Sequence, residues 1–173
     1  MDNIVQLPPY FRDIENATKL ASGDVPYHIS DINMLSLWSD TNRGKGIKIG
    51  YADTGIDWNH PEFEGRVIKA SSFARGNGFD KNDHGTHVAS TGSGTNVGMA
   101  PGSEIYMAQV LNGRGFGDSE WTGKGVDWLA SQGCDIISLS LGSSGDDFYT
   151  RDAVRAAIRA GIIVVAATTN AGA

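Results

Sequence analysis

Ile47-Lys48-Ile49-Gly50-Tyr51-Ala52-Asp53-Thr54-Gly55 is an apolar run closed by an acid and a glycine, and about thirty residues later comes Asp83-His84-Gly85-Thr86-His87-Val88-Ala89. The first stretch reads as a strand that delivers Asp53 at its carboxyl end, the edge where open α/β sheets build their sites. The second reads as a helix from His84 to about Gly92, with Val88 as its apolar contact and Ala89 and Ser90 allowing tight packing. A carboxylate set against an imidazole holds the tautomer that leaves the far ring nitrogen free, and it stabilises the imidazolium once that nitrogen takes a proton. Asp53 and His84 are therefore the candidate acid and base of a nucleophilic site. Gly85 and Thr86 beside the histidine leave room for backbone to approach.

Outward from this pair, strand and helix alternate. Residues 66 to 70 read as a short strand, and Gly76 to Asp83 as a surface loop leading to His84. Ile105 to Leu111 is a strand followed by the glycine-rich Asn112-Gly113-Arg114-Gly115-Phe116-Gly117. Trp121, Val126, Trp128 and Leu129 set an amphipathic helix stopped at Gly133. Asp135 to Leu141 is nearly all apolar, as a parallel strand buried on both faces must be. Gly142 to Gly145 is a polar loop, Ala153 to Ala160 a helix stopped by Gly161, and Ile162 to Ala167 a further buried strand. On the N-terminal side, Val25-Pro26-Tyr27 with Ile32, Leu35 and Trp38 suggests an apolar-faced helical stretch. The alternation predicts an α/β fold, a doubly wound parallel sheet with helices on both faces.

With 173 residues, 40% of them hydrophobic, the chain has the length of one domain with one sizeable core. A net charge of −6 argues against nucleic acid or an anionic membrane as main partner. The single cysteine, Cys134, excludes an internal disulfide and reads as a structural thiol at a strand start. Met1 to Gln6 lacks a secretory signal and no apolar run approaches a membrane span, which predicts a cytoplasmic protein, secretion staying open if the N-terminus is incomplete.

Asp53-Thr54-Gly55-Ile56 and His84-Gly85-Thr86-His87-Val88-Ala89 resemble the Asp and His signatures of the subtilisin-like serine proteases. The likeness continues through His60-Pro61-Glu62-Phe63, Val97-Gly98-Met99-Ala100-Pro101, Ser138-Leu139-Ser140-Leu141-Gly142 and Val164 to Asn170. It implies that residues 25–173 are the N-terminal portion of a peptidase domain, truncated after the strand that carries the oxyanion asparagine. It implies Asp53 and His84 as catalytic residues and Asn170 as an oxyanion donor, although Thr169 stands where the family has glycine. It implies that Gly115, Phe116 and Gly117, with Ser140, Leu141 and Gly142, bind an extended peptide or protein substrate as an added strand. From sequence alone, an ordinary turn at Gly115–Gly117 stays equally open.

Intracellular members of that family carry a short N-terminal extension with a Leu/Ile-Pro-Tyr element across the cleft. Leu7-Pro8-Pro9-Tyr10 is similar to it, so residues 1–24 read either as a tail or as a short propeptide. Pro-Pro fixes φ and lacks amide donors, which suits a segment that fills a groove without being cut. Many relatives bind calcium through an acid at the position of Glu62, but Gly94-Thr95-Asn96-Val97 is too short for the rest of such a site, and no metal residues are assigned.

His84 and His87, with Asp80 and Asp83 nearby, suggest zinc, but helical zinc hydrolases space their histidines four apart with a glutamate between. His87 is expected to be a buried, hydrogen-bonded helix residue instead, and Asp57 a loop cap. The family nucleophile lies in Gly-Thr-Ser-Met-Ala downstream of the asparagine, and no serine of this sequence stands in that context. The expectation is a serine endopeptidase portion that is inactive alone and needs a second segment bearing the serine. The alternative is a short pseudoprotease that binds peptides or a protease.

Overall fold

The computed structural model describes residues 4–6, 26–143, 145 and 147–168. Its elements in chain order are β1 (Ile4–Gln6), α1 (Tyr27–Ser30), α2 (Met34–Thr41), β2 (Lys48–Asp53), β3 (Val67–Ser72) and α3 (His84–Ser93). They continue as β4 (Glu104–Gln109), β5 (Phe116–Asp118), α4 (Ser119–Ser131), β6 (Ile136–Leu139), β7 (Gly142–Ser143), α5 (Phe148–Arg159) and β8 (Ile163–Ala166). The five strands β3-β4-β2-β6-β8 form one sheet in that order, and every neighbouring pair is parallel.

Successive residues of a strand point to opposite faces, and β2 shows the consequence. Ile49 and Tyr51 join Ile56, Phe63, Ala89, Ile105 and Met107 in one buried cluster, under α3. Ala52 belongs to the other cluster, with Ala108, Val126, Leu129, Ile137, Ala153 and Ala157, under α4 and α5. The predicted doubly wound arrangement is therefore present. Phe63, Ile56 and Met107 are fully buried, and each such side chain contributes on the order of 1.5–3 kcal/mol of transfer free energy.

The helices on the α4 and α5 face begin where their sequences offer an acceptor. Asp118 accepts from the Glu120 N–H at 2.8 Å to start α4, and Asp147 accepts from the Thr150 N–H at 3.0 Å to start α5. Gly133 and Gly161, at φ of +74° and +86°, stop them as expected. Helix α5 starts at Phe148, one and a half turns before the apolar pattern beginning at Ala153, because its first turn is specified by the Asp147 cap.

Three expectations are corrected. Strand β8 is not buried, since it is the last strand of the sheet among the described residues and leaves Ile163 and Val165 largely exposed. The described part of the stretch expected at Val25 to Trp38, residues 26–38, is not one apolar-faced helix, because Asn33 adopts a left-handed conformation between α1 and α2, and no residue of α2 is buried. His87 is exposed rather than buried, standing on the turn of α3 that faces away from Ala89 and the sheet.

Candidate active site

Asp53 ends β2 and His84 begins α3, and the parallel sheet brings both to its carboxyl edge. The His84 Nδ1 and Asp53 Oδ1 atoms are 2.8 Å apart, with side chains 8% and 1% exposed. Asp53 Oδ1 also accepts from the Thr54 N–H at 2.7 Å, while Oδ2 is buried and has no hydrogen-bond partner among the described residues. Burial pushes the Asp53 carboxyl above the ordinary carboxylate range. The His84 hydrogen bond and charge and the Thr54 N–H act against that rise, and the nearby charge of Asp80 adds to it.

The backbone around the pair approaches closely. At Gly85 a Cβ would collide with the Gly55 carbonyl oxygen and press on Asp53 Oδ1 at 3.1 Å, so only glycine lets α3 start this near the end of β2. The Gly85 N–H donates to Thr54 Oγ1 at 2.9 Å. Asp57 shares the loop and caps it through Asn59 N–H at 3.0 Å, as expected of a loop carboxylate. With Nδ1 held by Asp53, the chemistry available to His84 is proton transfer at Nε2.

The predicted substrate-binding residues flank a groove whose occupant is the chain's own N-terminal strand. In a second, three-stranded sheet ordered β5-β1-β7, β1 pairs antiparallel with both neighbours. Val5 faces Gly117 on one side and Ser143 on the other, and Gln6 faces Phe116 and Gly142. Gly115 precedes β5 at φ +79°, and the parallel register of Ala52 with Leu139 carries Ser140 and Leu141 past the end of β6 towards β7. Val5 is 1% exposed and joins the cluster of Leu111, Leu139 and Leu141. Both sides of the groove thus accept an extended strand. Asn170 and Leu7-Pro8-Pro9-Tyr10 lie outside the described residues.

His84 is engaged by Asp53, His87 is exposed, and among the described residues no group of three or more His, Cys, Asp or Glu could hold a metal ion. The place where the resemblance implies calcium does not fit a cation. The Glu62 carboxylate accepts from Asn96 N–H and Nδ2–H at 2.9 Å each and from Val97 N–H at 3.3 Å. The carbonyls around it are taken by the Arg66 guanidinium, which donates to Ser93 O at 2.6 Å and Glu62 O at 2.8 Å, and to Thr95 Oγ1 at 2.9 Å. A cation there would displace a fixed positive charge. Cys134 is buried, and its thiol is pushed up to about 12 by that burial, as a structural role requires.

Sequence reasoning missed the polar groups that tie the site together. Gln109, at the end of β4 beside Asp53, donates to Thr54 O at 2.8 Å and accepts from Gly78 N–H at 3.1 Å. As the one polar residue in the run Ile105 to Leu111, it was visible as an anomaly. Asp80 accepts from both Thr54 and Thr86, and nothing in its local spacing signals this.

A family model described as the Subtilase family (peptidase S8) matches residues 44–173. The Major intracellular serine protease of Bacillus subtilis (strain 168) is 33% identical over 184 residues, covering 99% of this chain and 57% of that protein. The Intracellular serine protease of Paenibacillus polymyxa is 34% identical over 86% of this chain and 49% of its own length. Subtilisin E of Bacillus subtilis (strain 168) is 34% identical over 86% of this chain and 40% of its own. The chain spans about half the length of the curated relatives it matches. No helix of the described residues is long and apolar enough to cross a membrane. The family match over residues 44–173, on a parallel sheet whose edge holds an Asp and a His in contact, means that this chain belongs to the subtilase family.

Proposed function

We propose that this chain supplies the acid and base of a serine endopeptidase, Asp53 orienting His84 and His84 taking the proton of a serine hydroxyl. The observation that carries the reading is the 2.8 Å contact between His84 Nδ1 and Asp53 Oδ1 at the carboxyl edge of the sheet. Family membership supports it, as does the strand-accepting groove between β5 and β7. The nucleophile is a serine on a segment outside these residues, since no serine here lies in a Gly-Thr-Ser-Met-Ala context. Asn170 is the proposed oxyanion donor. The substrate is a peptide or protein in extended form, bound by backbone hydrogen bonds as β1 is.

The same groove supports a regulatory role for residues 1–24. On this reading β1, which pairs with β5 and β7, lies where a substrate strand would pair, so it competes with substrate, and its removal raises the activity of the completed enzyme. The Pro8-Pro9 step, one residue beyond Gln6, suits a segment that resists cleavage.

The test joins this chain to a segment carrying Gly-Thr-Ser-x-Ala. Peptidase activity should appear, and a serine-directed phosphonylating reagent should label the joined polypeptide while leaving the 173-residue chain untouched. Labelling of the short chain at one of its own serines, with matching turnover, would overturn the assignment.

A further inference from the structure

We propose that Asp80 is a positioning residue, a carboxylate that helps fix the distance between Asp53 and His84 by dictating the direction of the two threonine-mediated hydrogen bonds that join their backbone segments. The proposal deepens the peptidase reading and rests on it for its kinetic consequence alone. Asp80 is 6% exposed and belongs to the loop between β3 and α3. Its Oδ1 accepts from Thr54 Oγ1 at 2.9 Å, Asn82 N–H at 2.9 Å and Asp83 N–H at 3.2 Å. Its Oδ2 accepts from Thr86 N–H at 2.9 Å and Thr86 Oγ1 at 2.7 Å.

Thr54 follows Asp53 directly, and Thr86 stands two residues after His84. Each hydroxyl has one proton and gives it to Asp80, which leaves its lone pairs for backbone donors. Thr54 Oγ1 then accepts from Gly85 N–H at 2.9 Å, and Thr86 Oγ1 accepts from Asp57 N–H at 3.0 Å. The β2 exit loop and the first turn of α3 are thereby bonded twice, through two hydroxyls whose orientation only an acceptor at Asp80 can set. His84 lies between Asp83, whose N–H is held by Asp80, and Gly85, whose N–H is held by Thr54. A carboxylate that merely capped α3 would need no bond to Thr54 on the other segment.

Asparagine at this position keeps the shape but turns one acceptor into a donor, so one threonine hydroxyl loses the acceptor that orients it, and a backbone N–H, of Asn82 and Asp83 or of Thr86, is set against an NH2 group. The test measures solvent exchange of the His84 Nδ1 proton by NMR in this chain and in its Asp80→Asn and Thr86→Val variants, with no turnover needed. Exchange should quicken at least tenfold in Asp80→Asn and less in Thr86→Val, while the amide resonances of β4 and β6 stay in place. In the polypeptide joined to a Gly-Thr-Ser-x-Ala segment, Asp80→Asn should lower kcat at least tenfold with KM within twofold. Unchanged exchange in Asp80→Asn, unchanged kcat, or loss of the fold in both variants would overturn the proposal. Faster exchange beside a joined parent that never cleaves peptides would instead defeat the peptidase reading and leave the positioning role standing.

Discussion

Strand β2 buries five of its six residues, whereas β8, at the edge of the same sheet, leaves Ile163 61% and Val165 55% exposed. Both are short and parallel, and β8 is the more apolar of the two, so composition does not account for the difference. Position does: β2 lies between β4 and β6, while β8 pairs only with β6 among the described residues. Around β2, the loops are also bound to one another by polar side chains, with Gln109, Thr54, Thr86 and Asp80 closing the gaps between the strand end and α3. Around β8, by contrast, Ile163 and Val165 stand exposed, and so does Ile158 of α5, at 55%. The half that holds Asp53 and His84 is thus cross-linked by side-chain hydrogen bonds, whereas β8 leaves apolar side chains open to solvent.

The largest effect that tests this contrast is catalytic. In the polypeptide joined to a serine-bearing segment, Asp53→Asn should lower kcat by about 10⁴-fold, because the amide presents the wrong donor pattern to Nδ1 and favours the unproductive tautomer. The substitution is nearly isosteric, so the sheet should persist by circular dichroism. Activity within tenfold of the parent would show that the Asp53–His84 contact does not orient the base.

Next in size is a pH effect on the β2 half. The Tyr51 hydroxyl is bonded to Ser93 Oγ at 2.7 Å, and burial pushes its pKa up to about 12 from 10.0. Between those values the unfolded chain has lost the tyrosine proton and the folded chain keeps it. The unfolded state binds fewer protons there, so stability falls as pH rises from 10 towards 12, with the contribution fully present below 10. A two-unit rise corresponds to about 3 kcal/mol. Urea midpoints at pH 9.5 and 11.5 measure the drop, and Tyr51→Phe should remove that part of it. An equal drop in both proteins would mean that Tyr51 ionises in the folded chain as freely as in water.

Much of this was legible in the sequence because it rests on local rules. Apolar runs bounded by glycine gave the strands, Gly133 and Gly161 marked helix ends, and the acid closing Ile47–Ala52 marked the sheet edge. What was hidden depends on contacts remote in sequence. Asp80 joins residues from two segments through side-chain oxygens, a relation without periodicity. The exposure of β8 depends on where the strand falls in the sheet, since an apolar run reads the same at an edge as in the middle. His87 was misjudged because a helix beside a site suggests burial, while the turn it occupies faces outward. The pairing of β1 was not legible, because three residues carry too little pattern to register as a strand.

The smallest effect sharpens the comparison from the β8 side. Ile163 is 61% exposed, so Ile163→Lys in the 173-residue chain should change the urea midpoint by an amount within about 0.5 kcal/mol. Its visible consequence should be reduced self-association in sedimentation velocity, since a lysine on an exposed apolar edge opposes pairing with another chain. In the joined polypeptide the added segment is expected to cover this edge, which would take the same lysine out of water without a partner, at a cost of several times that amount. The difference between the two costs measures how far the β8 half depends on cover that the β2 half does not need. Equal costs in both contexts would mean that β8 stays an open edge, and the contrast between the two halves would be a permanent feature of the fold.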